Sequence, residues 1–149
     1  MVTLFMFVDF NTISPGANDN LTGTYAAVCA LRMLDMAGVD FENTEVCAMI
    51  TDGEEAGLRG CKSWAKNHYD EYVNSGVETV VLCVDTLTDR DYLRVYNKDM
   101  TGTVKNNQQF SQLVMDASKD AGHDDIELSS VFFGSSDAAA FSQAGITAT

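Results

Sequence analysis

The residues best placed to do chemistry are two adjacent carboxylates between glycines. They are Glu54 and Glu55, in Thr51-Asp52-Gly53-Glu54-Glu55-Ala56-Gly57-Leu58-Arg59-Gly60. In such a pair one carboxylate can grip a cation while its neighbour moves a proton. Ahead of a helix the pair can also simply complement the positive end of the helix dipole. Further acids follow apolar runs. Asp9 follows residues 2–8, Asp85 follows residues 79–84, and Asp137 comes shortly after residues 128–133. Asp19 lies in the loop after the first run. If those runs are parallel strands, all these acids collect on one sheet edge, where open α/β sheets bind ligands. Converging carboxylates repel one another unless a cation holds them, so the pattern points to a metal site with a spare carboxylate as base.

The elements that must position these acids can be read in chain order. Residues 2–9 form a nearly unbroken apolar run, read as a strand buried on both faces. Such a strand at the first residue suggests a chain cut from something longer. Ser14-Pro15-Gly16 is a turn, Asp19 and Asn20 offer N-cap chemistry, and residues 21–37 read as a helix stopped by Gly38. Residues 45–50 are a second strand. Residues 56–67 are a helix, with 70–75 as its extension. Residues 79–84 are a third strand, and the alternation over 92–96 suggests an edge strand. Phe110, Leu113, Val114, Ala117 and Ala121 fall at helical spacing before Gly122. Residues 128–133 are another strand, 138–143 a short helix capped by Asp137, and 146–149 the start of a last strand. Strands alternating with helices predict an α/β fold with a mostly parallel sheet. No repeat or linker divides the chain, so residues 1–149 read as a single domain.

Composition narrows the partners. With 22 acids against 9 bases the net charge is −13, which argues against nucleic acid or an anionic membrane. Cys29, Cys47, Cys61 and Cys83 show no CxxC spacing. Cys47 and Cys83 sit in apolar runs and are expected to behave as small buried hydrophobes. No disulfide framework is read, which favours a reducing, cytoplasmic compartment. No apolar run approaches the roughly 18 residues of a membrane span, and residues 1–8 lack the basic region of a signal peptide.

Three segments carry a family resemblance. Ser14-Pro15-Gly16-Ala17-Asn18-Asp19-Asn20-Leu21-Thr22-Gly23 resembles the PGAxDNxSG segment of the M28 zinc aminopeptidases. Asp52-Gly53-Glu54-Glu55-Ala56-Gly57-Leu58-Arg59-Gly60 resembles their GEExGLxGS segment. Ser136-Asp137-Ala138-Ala139-Ala140-Phe141 with Ala144-Gly145-Ile146 resembles SDHxxF…AGIP. The related M42 and M20 peptidases are weaker matches. The resemblance implies a three-layer α/β/α sandwich with a mostly parallel mixed sheet, and removal of N-terminal residues from a peptide substrate. It implies Asp19 as the carboxylate bridging two zinc ions and Glu54 as the general base. Glu55 would be a ligand to one metal and Asp85 to the other. Asp9 would orient a histidine ligand.

The departures concern the imidazoles. The HxD motif puts histidine where this chain has Phe7, and SDH puts it where the chain has Ala138. Some relatives carry Asp-Ala here with the histidine further along, which in this chain would fall beyond Thr149. The only histidines, His68 and His123, read as surface residues. Carboxylates alone suit Mg²⁺, Ca²⁺ or Mn²⁺ better than zinc, so zinc is expected to bind weakly or not at all. The competing reading is a non-catalytic relative whose pocket binds a peptide or a hard cation. A serine hydrolase using Ser135 or Ser136 is a third, lacking the closing glycine of a nucleophile elbow.

Overall fold

The structure, a computed structural model, describes residues 11–149. The expected first strand, with Phe7 and Asp9, lies outside the described residues. A mixed α/β arrangement follows, with helices set against small parallel and mixed sheets. Helix α1 is Thr22–Met36, α2 Arg59–Asn67, α3 Tyr69–Tyr72, α4 Gln108–Asp120 and α5 Asp137–Gln143. Strand β1 is Val80–Val81, β2 Arg94–Asp99, β3 Val104–Lys105, β4 Glu127–Ser130 and β5 Thr147–Ala148. β1 pairs in parallel with β5. β2 lies between β3, antiparallel, and β4, parallel. The two sheets are stitched together around β5. Asn107 N–H donates to Ala148 C=O at 3.0 Å, and Thr149 Oγ1 to Tyr96 C=O at 3.0 Å. Among the described residues no helix is long and apolar enough to cross a membrane.

Local chemistry sets the helix boundaries. Asn107 caps α4 by accepting from Phe110 N–H at 2.9 Å. α2 begins at Arg59, later than the expected residue 56. Gly57 and Leu58 hold left-handed φ values of 99° and 59°, which no helix tolerates. The core sits where α5 is enclosed. Ala138, Ala139, Ala140 and Phe141 are all buried, packed with Leu58, Cys61 and Ala65 at the start and middle of α2. The alanines let α5 approach its neighbours closely. Phe141 meets Trp64 edge-on at 5.8 Å.

Several sequence expectations need correction. Residues 92–96 are not an edge strand, because β2 runs to Asp99 and is paired on both sides. Residues 45–50 form no ladder among the described residues. An apolar run supplies side chains, but a strand exists only through a paired neighbour. Val46 and Ile50 are accordingly exposed, and so is Cys47, expected to be buried. β4 stops at Ser130, leaving Phe132 and Phe133 exposed. His123 is half-buried rather than on the surface, with its backbone N–H bonded to Ser118 C=O at 2.9 Å behind α4.

Phe141→Ala removes the largest fully buried side chain. It is expected to cost about 3–5 kcal/mol, read as a lower urea midpoint with an unchanged slope.

Candidate active site

The turn that carries Glu54 and Glu55 is closed by its own backbone. Gly57 and Leu58 N–H both donate to Glu54 C=O, at 2.9 and 2.8 Å. Arg59 N–H reaches Gly53 C=O at 3.0 Å, and Gly60 N–H reaches Asp52 C=O at 3.1 Å. Gly60 has no room for a side chain, since a Cβ there would overlap Asp52 C=O. Arg59 Nε and Lys62 Nζ brace the turn from outside, donating to Ala56 and Gly57 carbonyls at 3.1 and 3.0 Å.

A second loop is tied alongside the segment that ends in Asp85. Asn20 Nδ2 donates to Val84 C=O at 2.9 Å, and Asn20 Oδ1 accepts from Thr86 N–H at 3.3 Å. The same oxygen caps α1 by accepting from Gly23 N–H at 3.0 Å. Thr22 Oγ1 accepts from Leu87 N–H at 3.1 Å, and Asn18 Oδ1 from Thr88 N–H at 3.2 Å. Asn18, Asn20 and Thr22 thus fasten the loop, and Asp19 is carried between them. Gly23 lets the backbones approach, since a Cβ there would overlap Val84 C=O.

The third contribution is Asp137, at the first turn of α5. Its Oδ2 accepts from Thr51 Oγ1 at 3.0 Å, and Thr51 Oγ1 in turn accepts from the Cys61 thiol at 3.4 Å. Its Oδ1 is buried and has no hydrogen-bond partner among the described residues. Burial pushes the Cys61 thiol up to about 12, so it stays protonated and serves as a donor.

The electrostatics join these pieces. Burial first, then the negative charges of Glu55, Asp137, Asp85 and Asp19, push the Glu54 carboxyl up to about 7. Burial also raises Asp85, with Asp19 and Asp137 adding to the rise while the Thr86 hydroxyl, 2.7 Å away, opposes it. Of the residues that sequence singled out, Asp19, Glu55 and Asp85 therefore lie within electrostatic reach of Glu54, and Asp137 belongs with them. Asp9 lies outside the described residues.

These carboxylates do not fit a pair of zinc ions. Among the described residues no group of three or more His, Cys, Asp or Glu side chains is arranged to hold a metal ion. Carboxylates without an imidazole among them suit a hard cation better than zinc. His68 does not repair the set. His68 Nδ1 pairs with Glu71 at 2.9 Å and its ring stacks on Trp64, while position 138 is an alanine only 1% exposed. Ser135 and Ser136 are not free nucleophiles either, because both hydroxyls donate to buried Asp99. Sequence alone passes over Asp99, since its partners stand far away along the chain.

Two outcomes are expected. Asn20→Ala, which leaves three backbone groups without their partner, should cost about 1–3 kcal/mol in chemical denaturation. Glu54 binds its proton more tightly when folded than unfolded. Between its ordinary range and about 7 the folded state holds more protons, so stability falls as pH rises through that window. Glu54→Gln should flatten this decline, checked by thermal unfolding from about pH 4 to 8. A slope unchanged in the variant would remove Glu54 as its source.

The model of peptidase family M28 matches residues 4–149 of the chain. No curated protein and no solved structure matches it.

Proposed function

The chain belongs to peptidase family M28, and from that premise we propose that it is a single peptidase-like domain acting on the amino-terminal residue of a peptide. The observation that carries the reading is the acidic edge with Glu54 raised to about 7 at its centre. Clustered carboxylates favour a positive guest, and a peptide's free α-amine brings that charge with it. A carboxyl titrating near neutrality suits a group that takes a proton from an attacking water and returns it to a leaving amine. Glu54 holds that position, with Asp19, Glu55, Asp85 and Asp137 supplying the negative field. Four cysteines without a disulfide partner support a reducing, cytoplasmic-type compartment.

In family M28 a zinc pair would polarise the scissile carbonyl. The residues of this chain do not fit that pair, so hydrolysis by the chain as it stands is slow. Losing a group that stabilises the developing charge typically costs on the order of 10³-fold in rate. The buried Ala138 specifically favours a second reading, in which the edge binds an amine or a hard cation without hydrolysis.

The test uses L-leucinamide and its N-acetylated form in calorimetric titration. Leucinamide should bind and the acetylated form should not, since acetylation removes the positive charge. Equal binding, or none by either, would overturn the proposal. Release of nitroaniline from leucine p-nitroanilide separates the two readings. Slow turnover abolished by Glu54→Gln supports the enzyme, whereas turnover untouched by that substitution leaves the binding protein. Phe7→His with Ala138→His should raise the affinity for zinc.

A further inference from the structure

Asp99 is the only buried carboxylate among the described residues, and nothing in the proposed chemistry uses it. It ends β2 and has no ion pair among the described residues. Amide and hydroxyl donors surround it instead. Met100 N–H reaches Oδ1 at 2.6 Å, Ser135 Oγ at 3.0 Å and Ser136 N–H at 3.0 Å. Ser136 Oγ donates to Oδ2 at 2.5 Å. Thr101 N–H adds a bond to Gly134 C=O at 3.1 Å. The corner after β2 is therefore zipped to the segment that leads into α5. Met100 and Thr101 hold left-handed φ values of 46° and 53°, and such strain persists only where surrounding bonds over-determine it.

The zipped segment ends one residue before Asp137. Asp137 sits within electrostatic reach of Glu54 and Asp85, and it has one hydroxyl partner, Thr51. Three hydrogen bonds from Ser135 and Ser136 meet on the buried Asp99 side chain, so Asp99 can hold the start of α5 in place. We infer that Asp99 is a positioning residue for the acidic edge: through Ser135 and Ser136 it fixes the start of α5 and thereby holds Asp137 beside Thr51. The residues run in one connected path, Asp99 to Ser136 to Asp137 to Thr51, and Thr51 opens the turn that carries Glu54. The inference rests on the reading of that edge as the working site.

The test follows the Asp137 side-chain carboxyl carbon and the Thr51 methyl group by NMR in ¹³C-labelled full chain. Thr51→Val, which breaks the Thr51–Asp137 bond directly, sets the direction of change for the Asp137 signal. Asp99→Asn and Ser136→Ala should move the Asp137 signal the same way, and both should move the Thr51 methyl. Ser136→Thr, which keeps the hydroxyl and the amide, should leave both signals in place. Asp116→Asn on α4 should also move neither. If Asp99→Asn and Ser136→Ala melt at lower temperature with both signals unmoved, Asp99 only staples its own corner and the inference falls. If Asp99→Asn does not fold, the Ser136 pair decides alone. Failure of the wild-type chain to bind leucinamide would remove the proposed function, while the two NMR signals would still decide the role of Asp99.

Discussion

Repulsion between like charges is the constraint on which the rest depends. Glu54 sits among Glu55, Asp137, Asp85 and Asp19, and every one of them opposes its ionisation. The described structure opposes that repulsion with neutral hydrogen-bonding side chains. Asn18, Asn20 and Thr22 fasten the Asp19 loop to residues 84–88, and Thr51 holds Asp137. Neutral ties leave the negative field unquenched. Residual repulsion is eased by a proton on Glu54, the most shielded member of the turn's acid pair. The edge is thus a cluster of like charges held in place by neutral hydrogen bonds.

Packing gives that cluster its rigidity. α5 is buried over most of its length, and α2 lies against it through Cys61, Ala65 and Trp64. Thr51 links the two helices at the site, since it donates to Asp137 at the start of α5 and accepts from Cys61 in α2. A core built on alanines has little volume to spare, so displacements at Phe141 are felt at the acids one helical turn away.

Much of this arrangement is legible in the sequence. Helical spacing marks α4, and caps and stop signals mark α1 and α5, each to within a few residues, while the glycine-flanked acid pair marks the turn. The misreadings share one cause. Composition alone makes strands of residues 45–50 and an edge of residues 92–96, but strand pairing is decided by a partner elsewhere in the chain. Asp99 is hidden for the same reason, with Ser135 standing 36 residues away. So are the ties of Asn20, whose partner Val84 lies 64 residues on. Acids after apolar runs can be counted in a sequence. The neutral residues that aim them cannot, because amides and hydroxyls at such spacings are common everywhere on protein surfaces. The missing imidazoles, by contrast, are visible at once at Phe7 and Ala138.

Gly23 and Gly60 carry a consequence for how this domain can change. Each marks a spot where one backbone rests against another with no space for a methyl group, at Val84 in one case and Asp52 in the other. The site's geometry is therefore encoded partly in atoms that are not there. A mutational library built on this domain should hold these two positions fixed, whatever else it varies. Ranking positions by charge or by side-chain contact would do the reverse. It would spend its variants on glycines that have no alternatives.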